Sequence, residues 1–80
     1  MKECNELDSH LLAFGKNIKR LRMDLGLSQL QLAERLDCKQ TYISKLEMGQ
    51  RSPNLRILIL VSKALEVELP QVLEYQRHLL

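Results

Sequence analysis

Apolar residues recur along this chain three and four positions apart. Leu11, Phe14, Ile18, Leu21 and Leu25 follow that rhythm, which is the signature of one helical face. It predicts a first helix over about 11–25, with Asp8 or Ser9 placed to cap its start and Gly26 placed to end it. Gly15 lies inside this helix at a cost of about 1 kcal/mol relative to alanine, a cost that a close approach by a neighbouring element explains. A second helix is predicted from Ser28, because Ser28 followed by Gln31 is a capping box. Its inner face is Leu32, Ala33 and Leu36, and it ends near Asp37 and Cys38. A third runs over about 40–48 and is closed by Gly49. The stretch GQRSPN is a loop by composition. Asn54 then caps a fourth helix over about 55–65, and a fifth is predicted over about 69–79, with Pro70 in a first turn that leaves amides unpaired anyway. The pattern contains no strand, so the expected fold class is all-α.

With 80 residues, 45% hydrophobic and 28% charged, the chain is expected to fold as a single globular domain. Aromatics are only 4%, and a core of Leu, Ile and Ala suits packed helices. The net charge of +2 hides an asymmetry. Between His10 and Arg56, nine basic residues stand against four acidic ones, whereas from Ile57 onward acids exceed bases by one and in the first nine residues by two. A positive segment of this kind points to a polyanionic partner. Cys4 and Cys38 form no metal or redox spacing, and neither His10 nor His78 has ligands around it. No membrane run or leader is read, so a cytoplasmic protein with reduced thiols is expected, with no metal and no cofactor.

The third helix is split in character. At about 100° per residue, Gln40, Thr41, Ser44 and Lys45 fall within one arc, with Ile43 and Leu46 on the opposite side. Tyr42 and Glu47 lie at the two borders. The four polar residues are chemically able to read base edges: Gln suits adenine, Lys suits guanine, and the Thr methyl suits that of thymine. A solvated helix face would also be polar. What distinguishes this one is the three-residue connection, Asp37 to Lys39, to the helix before it. That connection makes residues 28–48 a helix-turn-helix, whose second helix can lie in a major groove about 12 Å wide.

The run GLSQLQLAERLDCKQTYISKLEMGQRSPNLRILILVSKALEVELPQVL resembles the XRE-type helix-turn-helix family of lambdoid phage repressors and Cro proteins. The likeness covers about 12–73. The segment QTYIS is similar to recognition helices of the controller proteins of restriction–modification operons. The resemblance implies a five-helix, lambda-repressor-like DNA-binding domain. It implies base reading by Gln40, Thr41, Ser44 and Lys45. It implies backbone contacts by Gln29, Lys39, Tyr42, Arg51, Ser52 and Asn54, and a structural ion pair between Arg22 and Glu47. Three positions depart from the family pattern. Lys39 stands where a Ser or Thr often caps the recognition helix, leaving Asp37 as a substitute cap. Asp37 itself replaces a frequent Gly. Leu30 stands at a usually polar position.

The fourth helix is apolar nearly all round, more than one inner face needs. Ile57 and Leu60 on it, with Leu79 and Leu80 at the end of the chain, are read as a homodimer seam built by residues 55–79. Two function classes follow. The first is a regulator that binds a palindromic double-stranded operator as a homodimer. The second is an antitoxin or other protein-interaction module whose protein partner is unknown. An enzyme is not expected, since the sequence holds no acid–base pair, activated nucleophile, phosphate loop or metal cluster.

Overall fold

A computed structural model describes residues 6–75. Cys4, His78, Leu79 and Leu80 lie outside them, as does the end of the expected fifth helix. Among the described residues five helices are present: α1 (Glu6–Asp24), α2 (Gln29–Leu36), α3 (Gln40–Glu47), α4 (Leu55–Ala64) and α5 (Leu69–Val72). They surround one aliphatic core. Ile18 of α1, Leu32 of α2, Ile43 and Leu46 of α3, Val61 of α4 and Val72 of α5 are fully buried in it.

The helix starts follow from side-chain chemistry. The Ser28 hydroxyl accepts from the Gln31 amide at 3.0 Å, and Gln31 Oε1 accepts from the Ser28 amide at 2.8 Å. Asn54 Oδ1 accepts from the Ile57 amide at 2.9 Å and so starts α4. α1 begins earlier than its apolar rhythm suggests, at Glu6. Ser9 lies within it, with its hydroxyl donating to the Glu6 carbonyl at 2.9 Å. Glu6 and Asp8 sit in the first turn, where the helix dipole favours negative charge.

The helix ends share one device. After α1, α2, α3 and α4 a residue enters the left-handed region: Gly26, Asp37, Gly49 and Glu66. The following amide then reaches back five residues to a carbonyl. The four bonds are Leu27 to Arg22 and Cys38 to Ala33 at 3.0 Å, Gln50 to Lys45 at 2.8 Å, and Val67 to Ser62 at 3.0 Å. This satisfies carbonyls that a helix end leaves open. Asp37 and Glu66 adopt the conformation without being glycine, at a cost of about 1–2 kcal/mol each. Glu66 is steadied there by Arg35, whose Nη1 also donates to the Ala64 carbonyl.

The fifth helix is four residues long, where a run to Leu79 was expected. Asn17 holds its end. This buried side chain donates from Nδ2 to the Gln71 carbonyl at 3.0 Å and the Val72 carbonyl at 2.9 Å. Those are the acceptors that a continuing helix would offer to later amides. Tyr75 instead turns toward α1, edge-on to Phe14 and within 3.1 Å of His10 Nδ1.

α1 crosses the C-terminal end of α3 at Gly15. A Cβ at that position would lie 2.5 Å from both the Leu46 and Glu47 carbonyl oxygens. Gly15→Ala gains about 1 kcal/mol of helix propensity, but it meets backbone that cannot step aside, and overpacking costs about 1–3 kcal/mol. The clash wins, so the melting temperature of Gly15→Ala is expected to fall by several degrees, about 4–8 °C per kcal/mol for a domain of this size. An unchanged or raised melting temperature in a thermal scan would show that α1 and α3 are not in such close contact.

Candidate nucleic-acid interface

The geometry of α3 comes from what holds its back. Ile43 and Leu46 are fully buried, while Gln40, Thr41 and Lys45 are exposed and Ser44 is half-buried between them. α2 and α3 are joined by Asp37–Lys39, as the spacing predicts. Lys39 is the N-cap residue of α3, in extended geometry and with no side-chain cap bond. Asp37 does not substitute for that cap. It is committed to the left-handed end of α2, where its amide bonds the Ala33 and Glu34 carbonyls.

Glu47, on the inner border of α3, is buried together with Arg22 of α1. Arg22 Nε donates to Glu47 Oε2 at 2.6 Å and Nη2 to Oε1 at 3.1 Å, the two-pronged geometry that suits guanidinium and carboxylate. Arg22 Nη1 also donates to the Leu27 carbonyl at 2.8 Å. Gln29, the first residue of α2, donates from Nε2 to Glu47 Oε1 at 3.0 Å. One carboxylate thus binds α3 to α1, to the α1–α2 turn and to the start of α2. Gln29 therefore braces α3.

Beside α3 a groove of about 370 Å³ is lined by Cys38, Tyr42, Arg51, Ser52, Asn54 and Ile57. The Arg51 guanidinium lies over the Tyr42 ring, 5.6 Å from its centre, within cation–π range. Burial pushes the Tyr42 hydroxyl above its ordinary pKa, Arg51 opposes that rise and Cys38 adds to it. The hydroxyl therefore stays protonated and able to donate. Burial, then the charge of Asp37, pushes the Cys38 thiol up as well, so Cys38 is a neutral wall residue of this groove.

The structure brings Gln40, Thr41, Ser44 and Lys45 onto one open face, and Tyr42, Arg51, Ser52 and Asn54 around the adjoining groove. Ile57 and Leu60, expected on an outer seam, are half-buried and pack against the core. The exposed apolar residues of α4 are Leu55 and Ile59. Leu30 is exposed on α2. The sequence pattern did not mark Met48 as a site residue, because it is apolar; in the structure it is the C-cap residue just past α3. It is 51% exposed, and residue counting places it on the side of Gln40, Thr41 and Ser44.

An exposed polar face on the second of two tightly joined helices, held rigid from behind, defines a helix-turn-helix protein. The helix-turn-helix family model matches residues 18–72, and the chain belongs to the XRE-type helix-turn-helix family of transcriptional regulators. It is 38% identical over 61 residues to the control protein C.SmaI of Serratia marcescens, covering 76% of this chain and 73% of that one. The crystal structure of the restriction–modification controller protein C.AhdI from Aeromonas hydrophila superposes with a TM-score of 0.75 at 32% identity, over 78% of this chain and 94% of that one. Identity to the transcriptional activator BcrR of Enterococcus faecalis is 37% over 62 residues, 78% of this chain but only 30% of that protein.

Removing one member of the buried pair leaves the other charge unpaired, at about 3–5 kcal/mol. Glu47→Ala is expected to lower the unfolding free energy measured by urea titration by that much, and the double replacement Arg22→Met with Glu47→Leu to recover most of the loss. A double variant as weak as the single one would show that Glu47 acts through something other than its pairing.

Proposed function

We propose that the protein is a sequence-specific, double-stranded DNA-binding transcriptional regulator, acting in the cytoplasm as a homodimer on a palindromic operator. The observation that carries this reading is the open face of α3, whose back is fixed by Ile43, Leu46 and Glu47. In this reading α3 lies in the major groove, with Gln40, Thr41, Ser44 and Lys45 over base edges. Gln29, Lys39, Tyr42, Arg51, Ser52 and Asn54 contact the sugar–phosphate backbone and fix the register. A two-fold dimer places its recognition helices roughly 34 Å apart, one turn of DNA. The dimer seam is assigned to Leu55 and Ile59, beside a shallow apolar groove lined by Leu7, Leu58 and Leu73 among others. No chemical step is assigned to the protein.

A second reading takes that same exposed apolar groove as a seat for a different protein, as in an antitoxin that also regulates its own operon. Sedimentation separates the two: self-association of the pure protein supports the seam, whereas a monomer at binding concentrations supports the second reading.

Selection from a pool of random duplexes is expected to recover a palindromic motif. On that motif, Lys45→Ala is expected to cost about 1–3 kcal/mol and to relax preference at one symmetric position. Arg51→Ala is expected to weaken all sequences about equally and to lower the salt slope by about one. Recovery of no motif, with only weak salt-sensitive binding, would overturn sequence-specific regulation by this chain.

A further inference from the structure

Met48 interrupts the chemistry of the reading face. Its amide donates to the Ser44 carbonyl at 3.1 Å, the four-residue step of an α-helix, so its side chain leaves at the helical angle although α3 ends one residue earlier. Counted from Gln40, it projects at about 80°, between Ser44 and Thr41. Its backbone is pinned, because at Gly49 a Cβ would lie 2.8 Å from the Leu12 Cα. Met48 is 51% exposed. A long apolar side chain among hydrogen-bonding ones, half in water, adds little to the core.

We propose that Met48 is a specificity-determining residue that packs on the C5-methyl group of a thymine in the major groove. The assignment rests on the reading of α3 as a recognition helix. The major groove offers donors and acceptors at every base pair, but only thymine offers a methyl group. Met48 has no donor and only a weakly accepting sulfur, and burying a base donor or acceptor without a good partner carries a cost. Facing cytosine or guanine it therefore loses, and facing a methyl group it gains. Its unbranched, flexible chain lets it reach that methyl from the end of the helix.

The test uses the operator recovered by selection. Each thymine is replaced in turn by deoxyuridine, which removes the methyl group and keeps every hydrogen-bonding edge. Binding is measured for the wild type, Met48→Ala, Met48→Leu and Thr41→Ser, with melting curves to confirm folding. The expected result is one symmetric pair of thymines where uracil weakens the wild type about three- to fivefold. Met48→Ala abolishes that penalty, Met48→Leu keeps most of it, and Thr41→Ser leaves it intact. Uracil penalties unchanged in Met48→Ala would overturn the role of Met48 while leaving α3 as the recognition helix. A pool that yields no motif would overturn the recognition-helix reading itself, and the assignment of Met48 with it.

Discussion

The orientation of α3 depends on one buried carboxylate. Glu47 accepts from Arg22 and from Gln29, and Arg22 also holds the Leu27 carbonyl. Aliphatic contacts of Ile43 and Leu46 keep α3 against the core, but dispersion is weakly directional and would permit small rotations about the helix axis. A charged hydrogen bond of 2.6 Å is short and angle-dependent. It sets the rotation, and so decides which side chains point outward. The backbone approach at Gly15 sets the other coordinate, the distance from α1. Neither device lies on the reading face, so that face is free to vary without loosening its support.

The contrast between α2 and α3 follows from the same arrangement. α2 starts with a reciprocal capping box, and α3 starts at Lys39 with no side-chain cap. An eight-residue helix is marginal alone and draws its stability from packing. α3 forms because both its ends are fixed elsewhere. The left-handed Asp37 aims the chain into it, and the bonded turn at Gly49 closes it. A lysine in place of a cap gives up local stability and places a positive charge at the edge of the reading face.

Much of this was legible in the sequence, and the exceptions have causes. The capping box at Ser28, the cap at Asn54 and the stop at Gly26 are local chemistry, encoded within three or four residues, and they lie where the pattern puts them. The length of α5 is not local. Its last carbonyls accept from Asn17, more than fifty positions away, as well as from the turn amides that follow, and no periodicity in residues 69–79 carries that information. The ends of α2 near Asp37 and of α4 near Leu65 also lie where the pattern puts them, although Asp37 and Glu66, neither of them glycine, occupy the left-handed positions. α4 misled for a different reason. Helices that pack on more than one side are apolar all round, so composition does not reveal which edge is left over. Ile57 and Leu60 are half-buried against the core, whereas Leu55 and Ile59 are exposed. The polar arc of α3 was readable as an arc, whereas Met48 was not, because an apolar residue on a polar face reads as noise until its exposure is known.

The charges show the same separation of support from surface. Of the four acids between His10 and Arg56, Glu47 is consumed by Arg22 and Asp24 is paired with Arg20. Among the described residues, no salt bridge engages Lys39, Lys45, Arg51 or Arg56. The ion pairs thus neutralise charges that brace the fold, and they leave positive the ones around α3 and the loop after it. Exposed cations with few nearby acids produce a field that reaches about a Debye length, roughly 8–10 Å in physiological salt. That range is enough to draw a phosphate backbone toward the groove at Tyr42 and Arg51 before any base is touched. Attraction of this kind carries no sequence information. In the proposed reading it orients the face on which the uncharged groups of Gln40, Thr41 and Ser44 discriminate, so the modest net charge of +2 understates what the fold presents on this side.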